Sequence, residues 1–120
     1  MIHRDLQVYK DSIKFIVEIY KLTKGFPKCE MYGLTSQMRR AAVSIPSNIS
    51  EGAGRRGPKE FIHFLYISTG SASELETQLD VAHQLGYITS EETHTNLIKT
   101  VTHIKLMLLN LIKSLEAPKS

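Results

Sequence analysis

The chain has 120 residues, 42% hydrophobic and 22% charged, which suffices for one domain with its own core. This composition excludes a second domain and a disordered chain. The net charge is +3, and the longest nearly apolar run, Leu106 to Ile112, is too short to cross a bilayer, for which about 20 residues are needed.

The N-terminal residues predict where the protein resides. They carry charges where a secretory signal would have its apolar segment. Cys29 is the single cysteine, so no internal disulfide can form. Both features favour a cytoplasmic protein without a membrane span.

The first predicted helix covers about residues 5–24, where apolar residues recur at helical spacing. Lys24-Gly25-Phe26-Pro27 ends it. Both of its sides are apolar. We assign one side to the core, namely Leu6, Tyr9, Ile13, Ile16 and Tyr20. The reverse side carries Val8, Phe15, Ile19 and Leu22.

A second helical pattern runs from Leu34 to Ile49 and ends at Gly52-Ala53-Gly54. Pro46 falls inside it and predicts a kink or an early end, because proline removes a backbone hydrogen bond and clashes with the preceding turn.

Gly57-Pro58 opens a third helix that continues to about Gly86. Thr89-Ser-Glu-Glu92 is a capping box that begins a fourth helix, whose apolar positions continue to Leu115. Alternating strand patterns are missing. The sequence therefore predicts an all-α fold, an antiparallel up-down-up-down four-helix bundle forming a single domain over residues 1–120.

Three of the predicted helices carry apolar or small residues opposite their core faces. Such faces predict contact with a second copy of the chain, and the alternative is a monomer with an apolar surface. The predicted interface residues are Val8, Phe15, Ile19, Leu22, Val43, Ile67, Gly70 and Val81.

The sequence offers little support for a catalytic site or a metal site. Glu60-x-x-His63 and Glu91-x-x-His94 have the spacing of di-metal bundle proteins, but each begins a helix, which places them at opposite bundle ends about 30 Å or more apart. The five histidines show no ligand-pair spacing. Cys29 lacks an evident base. We expect no catalytic residue, no cofactor, no metal site and no enzymatic activity.

Charge is distributed unevenly along the chain. From Leu34 to Lys59, five basic residues stand against one acidic residue, whereas Glu60 to Ile98 contains six acidic residues and no Lys or Arg. Basic clusters bind phosphate backbones without reading sequence. The predicted nucleic-acid contacts are Arg39, Arg40, Arg55, Arg56 and Lys59. The alternatives are a loop that meets an acidic protein partner and a solvated or ion-paired loop.

The segment Tyr32 to Gly52, YGLTSQMRRAAVSIPSNISEG, combines with Phe61-x-x-Phe-Leu-x-Ile-x-x-Gly-Ser71, Glu74-Leu-Glu-Thr-Gln-Leu79 and Leu85-Gly-Tyr87. This combination resembles the proteins encoded in 23S rRNA intervening sequences. The resemblance implies a bacterial protein, a closed four-helix bundle that forms a homopentamer, and a second helix that accommodates Pro46.

The chain is also similar to the accessory variability protein of diversity-generating retroelements. That similarity implies nucleic acid and reverse transcriptase, or another protein, as partners. Arg39, Arg40 and Arg55 lie in the matched region and are the contacts it implies, whereas Arg56 and Lys59 depend on charge alone.

Overall fold

Four long helices make up most of the structure, a computed structural model that describes residues 2–117. They are α1 (Gln7–Thr23), α2 (Leu34–Ala53), α3 (Gly57–Gln84) and α4 (Glu91–Glu116), with short 3₁₀ turns at His3–Asp5 and Lys28–Glu30. No strand occurs within residues 2–117, so the predicted all-α class is confirmed. None of the helices described is long and apolar enough to cross a membrane.

The helices form a four-cornered bundle of 52 × 25 × 20 Å. α1 and α3 each contact α2 and α4, so α1 and α3 occupy diagonal corners. The short connections make neighbouring helices antiparallel, as predicted. One end of the bundle, the α2–α3 end, holds the turn at residues 54–56; the other, the α3–α4 end, holds residues 85–90 and the α1–α2 connection.

The turn between α3 and α4 is fixed by backbone geometry. Gly86 has φ +81°, the left-handed conformation that glycine adopts most readily after a helix. The Tyr87 N–H then donates to the Ala82 carbonyl at 2.9 Å. The Ser90 hydroxyl caps α4 by accepting the Thr93 N–H at 3.1 Å, one residue later than the predicted capping box places the cap.

α2 continues through Pro46 to Ala53. The predicted early end at Pro46 is therefore wrong, and the accommodation of Pro46 within the second helix, which the family resemblance implies, is confirmed. Pro46 is itself buried, which offsets the lost backbone hydrogen bond with apolar contact. Side-chain hydroxyls bond carbonyls of the neighbouring residues: Ser47 Oγ donates to Val43 and Ser68 Oγ of α3 donates to Ile45, both at 2.8 Å.

Small residues allow α2 and α3 to approach closely. Ser44 Oγ and Ser71 Oγ are hydrogen-bonded across the two helices at 2.8 Å. At Gly52 an added Cβ would lie 2.7 Å from the Cβ of Phe64 and 3.0 Å from Cδ1 of Phe61. The closeness of α3 therefore requires glycine at this point of α2.

The predicted orientation of α1 is wrong. Val8, Phe15 and Ile19, assigned to a contact between copies, are 4%, 1% and 0% exposed and belong to the core of the single chain. Ile13 and Tyr20, assigned to the core, are 41% and 42% exposed. Leu6, Tyr9 and Ile16, also assigned to the core, are half-buried and pack against it, so the helix is rotated from the predicted orientation without a full exchange of its two sides.

Two polar residues explain the misassignment. Ser12 and Thr23 lie on the buried side of α1 and interrupt its apolar pattern. Their hydroxyls donate to backbone carbonyls, Ser12 to Tyr9 at 2.8 Å and Thr23 to Ile19 at 2.7 Å, so their burial leaves no unmet hydrogen-bond donor. The other side carries more large apolar residues, yet Ile13, Val17 and Tyr20 on it are exposed.

The remaining predicted interface residues differ in burial. Leu22 is half-buried and packs against the core. Val43, Ile67 and Val81 are about two-fifths exposed, and a Cβ added at Gly70 would meet open space. Their role between copies stays a prediction.

Candidate nucleic-acid interface

Arg39 is held where α2 begins, against the last turn of α1. Its Nε donates to Thr23 Oγ1 at 2.9 Å, its second terminal nitrogen donates to the Tyr20 carbonyl at 3.4 Å, and its guanidinium lies 4.5 Å from the centre of the Tyr20 ring. Carbonyls at a helix C-terminus are partly unpaired and attract positive charge. Arg39 therefore fastens α2 to α1 while leaving part of its charge at the surface.

Other basic side chains surround this anchor. Lys21, Lys24 and Lys28 line a depression with Arg39, and Arg40 lines an adjoining one. The two depressions share Tyr20, Met31, Thr35 and Arg39 and form one open channel between the end of α1 and the start of α2. We call this channel the basic groove, defined by Lys21, Lys24, Lys28, Arg39 and Arg40.

The groove is strongly cationic because residues 20–40 contain five basic residues and one acidic residue, Glu30. Both Glu30 oxygens have internal partners: one accepts the Leu34 N–H at 3.1 Å and the other accepts the Tyr87 hydroxyl proton at 2.8 Å. The hydrogen bond to Glu30 raises the pKa of Tyr87 above its usual value. Glu30 thus ties the α1–α2 connection to the α3–α4 turn.

The remaining predicted contacts, Arg55, Arg56 and Lys59, lie at the α2–α3 end. Arg55 pairs with Glu51 and stacks over Phe64 at 5.1 Å, so its charge is matched within the chain. Arg56 and Lys59 are exposed. We call these three residues the Arg55 cluster.

The structure does not bring the five predicted contacts together. Arg39 lies 14 positions before the end of α2, which corresponds to about 21 Å of helical rise, and Arg55 lies in the turn beyond that end. Arg39 and Arg40 instead line the basic groove together with Lys21, Lys24 and Lys28, which were not among the predicted contacts. Three lysines between residues 21 and 28 with no acidic residue among them are the signal that could have found them.

A second side-chain cluster lies at the α3–α4 end, within the segment from Glu60 to Ile98 that contains no Lys or Arg. His83 and His94 stack with ring centres 4.1 Å apart, beside Asp80 and Glu91. The spacing of the histidines along the sequence indicates no pair, but the fold brings these two together. Conversely, Glu60-x-x-His63 and Glu91-x-x-His94 begin α3 and α4 at opposite ends, as predicted.

The fold and this site define an all-α bundle with a cationic groove between its first two helices. Residues 4–110 match the family described as 23S rRNA-intervening sequence protein, and the chain belongs to that family. No curated protein matches the chain.

A solved structure supports the same fold. It is a protein of unknown function from the S23 ribosomal protein family of Bacteroides thetaiotaomicron, with 28% sequence identity and a TM-score of 0.80. The match covers 88% of this chain and 95% of that one.

Proposed function

We propose that the chain is a non-enzymatic, homo-oligomeric bundle protein that binds RNA or another nucleic acid through the basic groove. The observation that carries this proposal is the convergence of Lys21, Lys24, Lys28, Arg39 and Arg40 on one groove. Lys and Arg on a common surface suit phosphate oxygens, which supply most of the affinity in binding that does not read sequence. The family name contains 23S rRNA, which agrees with RNA binding, but the name describes where the members are encoded.

Salt dependence tests the groove as a phosphate site. Fluorescence anisotropy with a labelled single-stranded RNA of mixed sequence measures affinity between 50 and 200 mM KCl, about the range over which phosphate contacts weaken markedly. Three or four phosphate contacts predict a slope of about −2 to −3 in log affinity against log salt. A salt-independent affinity, or none at low salt, contradicts the proposal.

Homo-oligomer formation is the second part of the proposal, and the pentamer is the state that the family resemblance implies. Exposed apolar residues on two helices support it: Ile13 and Val17 on α1, and Ile67 and Val81 on α3. Because α1 and α3 occupy diagonal corners, these faces lie on opposite sides of the bundle. Two different faces on one chain suit head-to-tail contacts, which form a closed ring when the rotation between neighbouring copies closes and an open filament when it does not.

An adaptor that binds an acidic protein is the alternative function. The observation in its favour is the apolar lining beside the basic residues, since Tyr20, Met31 and Val43 share the groove with Arg40. A mixed apolar and cationic surface suits a protein partner, which the retroelement similarity would make a reverse transcriptase or an associated protein. RNA binding with the salt slope above favours the first function over the adaptor.

A further inference from the structure

We infer that His83, Glu91 and His94 form a binding site for a divalent transition-metal ion of the zinc type. One imidazole nitrogen of each histidine and one carboxylate oxygen of Glu91 all lie within 4.8 Å of one another. Two imidazoles and a carboxylate are donors that zinc accepts in proteins, and imidazole selects such ions over calcium or magnesium.

The backbone holds these ligands in a defined arrangement. His83 lies in the last turn of α3, and Glu91 and His94 lie in the first turns of α4. The turn between them is set by the positive φ of Gly86, the cap at Ser90 and the buried side chain of Ile88. A site built on two helix ends joined by a fixed turn needs little backbone movement to bind an ion.

The histidine side chains are already paired with carboxylates. Nε2 of His83 lies 3.1 Å from Oε1 of Glu91, and Nε2 of His94 lies 2.9 Å from Oδ1 of Asp80. The histidine side chains are 17% and 18% exposed, whereas that of Glu91 is 82% exposed, so an ion can reach the site from solvent. Asp80 supplies further negative charge for a cation.

Metal binding requires the two rings to turn. They are stacked 4.1 Å apart with only 7° between their planes, and two parallel planes cannot both contain one ion. Zinc–nitrogen bonds of about 2.0–2.1 Å in tetrahedral geometry place donor atoms about 3.3–3.5 Å apart, within reach of side-chain rotation. We therefore expect binding to separate the rings, which shifts the histidine ring-proton resonances in NMR spectra.

Calorimetric titration of the full chain with zinc chloride tests the site. We expect one ion per chain, an affinity reduced at least about 10-fold in His94→Gln and in Glu91→Gln, and a zinc-dependent rise in thermal midpoint in the wild type that is lost in these two variants. Glu91→Gln alters an exposed side chain, so its effect cannot come from unfolding. His103→Gln, an exposed histidine further along α4, and Cys29→Ser serve as controls and should bind like the wild type.

Two results would overturn the inference. One is the absence of saturable zinc binding by the wild type. The other is equal binding by wild type, His94→Gln and Glu91→Gln, which would place any bound zinc elsewhere and leave the cluster as an ion-paired clasp between α3 and α4.

Discussion

Arg39 and Arg40 carry the same charge in the basic groove but have different structural roles. Arg39 is half-buried and bonded to Thr23 and the Tyr20 carbonyl, whereas its neighbour Arg40 is exposed. Adjacent residues on a helix face directions about 100° apart, which separates the anchor from the free cation. The sequence pattern does not distinguish the two arginines, whereas the packing of α2 against α1 buries part of Arg39 and leaves Arg40 exposed.

Arg39→Ala should lower the free energy of unfolding by about 1–3 kcal/mol, because it removes the charge-assisted hydrogen bonds to the Thr23 hydroxyl and the Tyr20 carbonyl and the contact with the Tyr20 ring. Arg40→Ala should change it by less than about 0.5 kcal/mol. Urea denaturation followed by circular dichroism measures both. Equal losses in the two variants would refute the anchoring role.

Among whole elements, the contact between α2 and α3 depends on Gly52. Gly52→Ala should lower the free energy of unfolding by about 1–3 kcal/mol, although alanine favours helix, because the new Cβ would meet Phe64 at 2.7 Å. Gly54→Ala is the matched control, since its nearest neighbours lie at 3.7 Å. Thermal unfolding should show the loss only in the first variant, and a stabilised Gly52→Ala would mean that α3 lies further from α2.

The observed orientation of α1 predicts which of its positions tolerate a charged side chain. Phe15→Glu should unfold the chain or cost several kcal/mol, because it places a carboxylate in the core without a partner. Ile13→Glu, on the exposed side of the same helix, should retain the helical circular dichroism spectrum of a folded chain, even where it weakens the proposed contact between copies. The reverse pattern would restore the orientation predicted from the sequence.

The elements differ in how far their sequences determine them. Proline at the start of α3, glycine after its end and serine before α4 act locally, so the predicted helix bounds agree with the structure within a few residues. The burial of one side of α1 depends on its neighbours, because both sides are apolar and Ser12 satisfies its own hydroxyl. For the same reason, helix packing that periodicity does not specify brings the lysines of α1 and of the α1–α2 connection to the arginines of α2, and His83 to His94.

The whole molecule presents exposed apolar side chains on all four helices, among them α1 and α3 at opposite corners, and its basic groove lies between α1 and α2. Val17, 50% exposed, lies on the outer side of α1 and is available for a neighbouring copy. Val17→Glu should leave the chain folded and shift the assembly towards monomers, because burying an unpaired charge at every contact is costly. Lys14→Glu alters an exposed residue that is already polar and should keep the assembly.

Multi-angle light scattering coupled to size-exclusion chromatography measures this assembly at micromolar concentration. The resemblance to the family predicts about five chains per particle for the wild type. A monomeric wild type would contradict the assembly, and an intact oligomer in Val17→Glu would move the contact away from this side of α1.

Charge reversal in the basic groove and in the Arg55 cluster tests most directly whether the groove is the nucleic-acid interface, since the groove should bind the RNA and the Arg55 cluster should not. Anisotropy with the same mixed-sequence RNA compares Lys24→Glu/Arg40→Glu, in the basic groove, with Arg56→Glu/Lys59→Glu at the opposite end of α2. Both double variants change the net charge equally, so a difference between them reports position and not total charge. We predict at least about a tenfold loss of affinity and a shallower salt slope for the groove variant, with a smaller loss for the other. Equal losses, or a larger loss from Arg56→Glu/Lys59→Glu, would contradict a nucleic-acid interface in the basic groove.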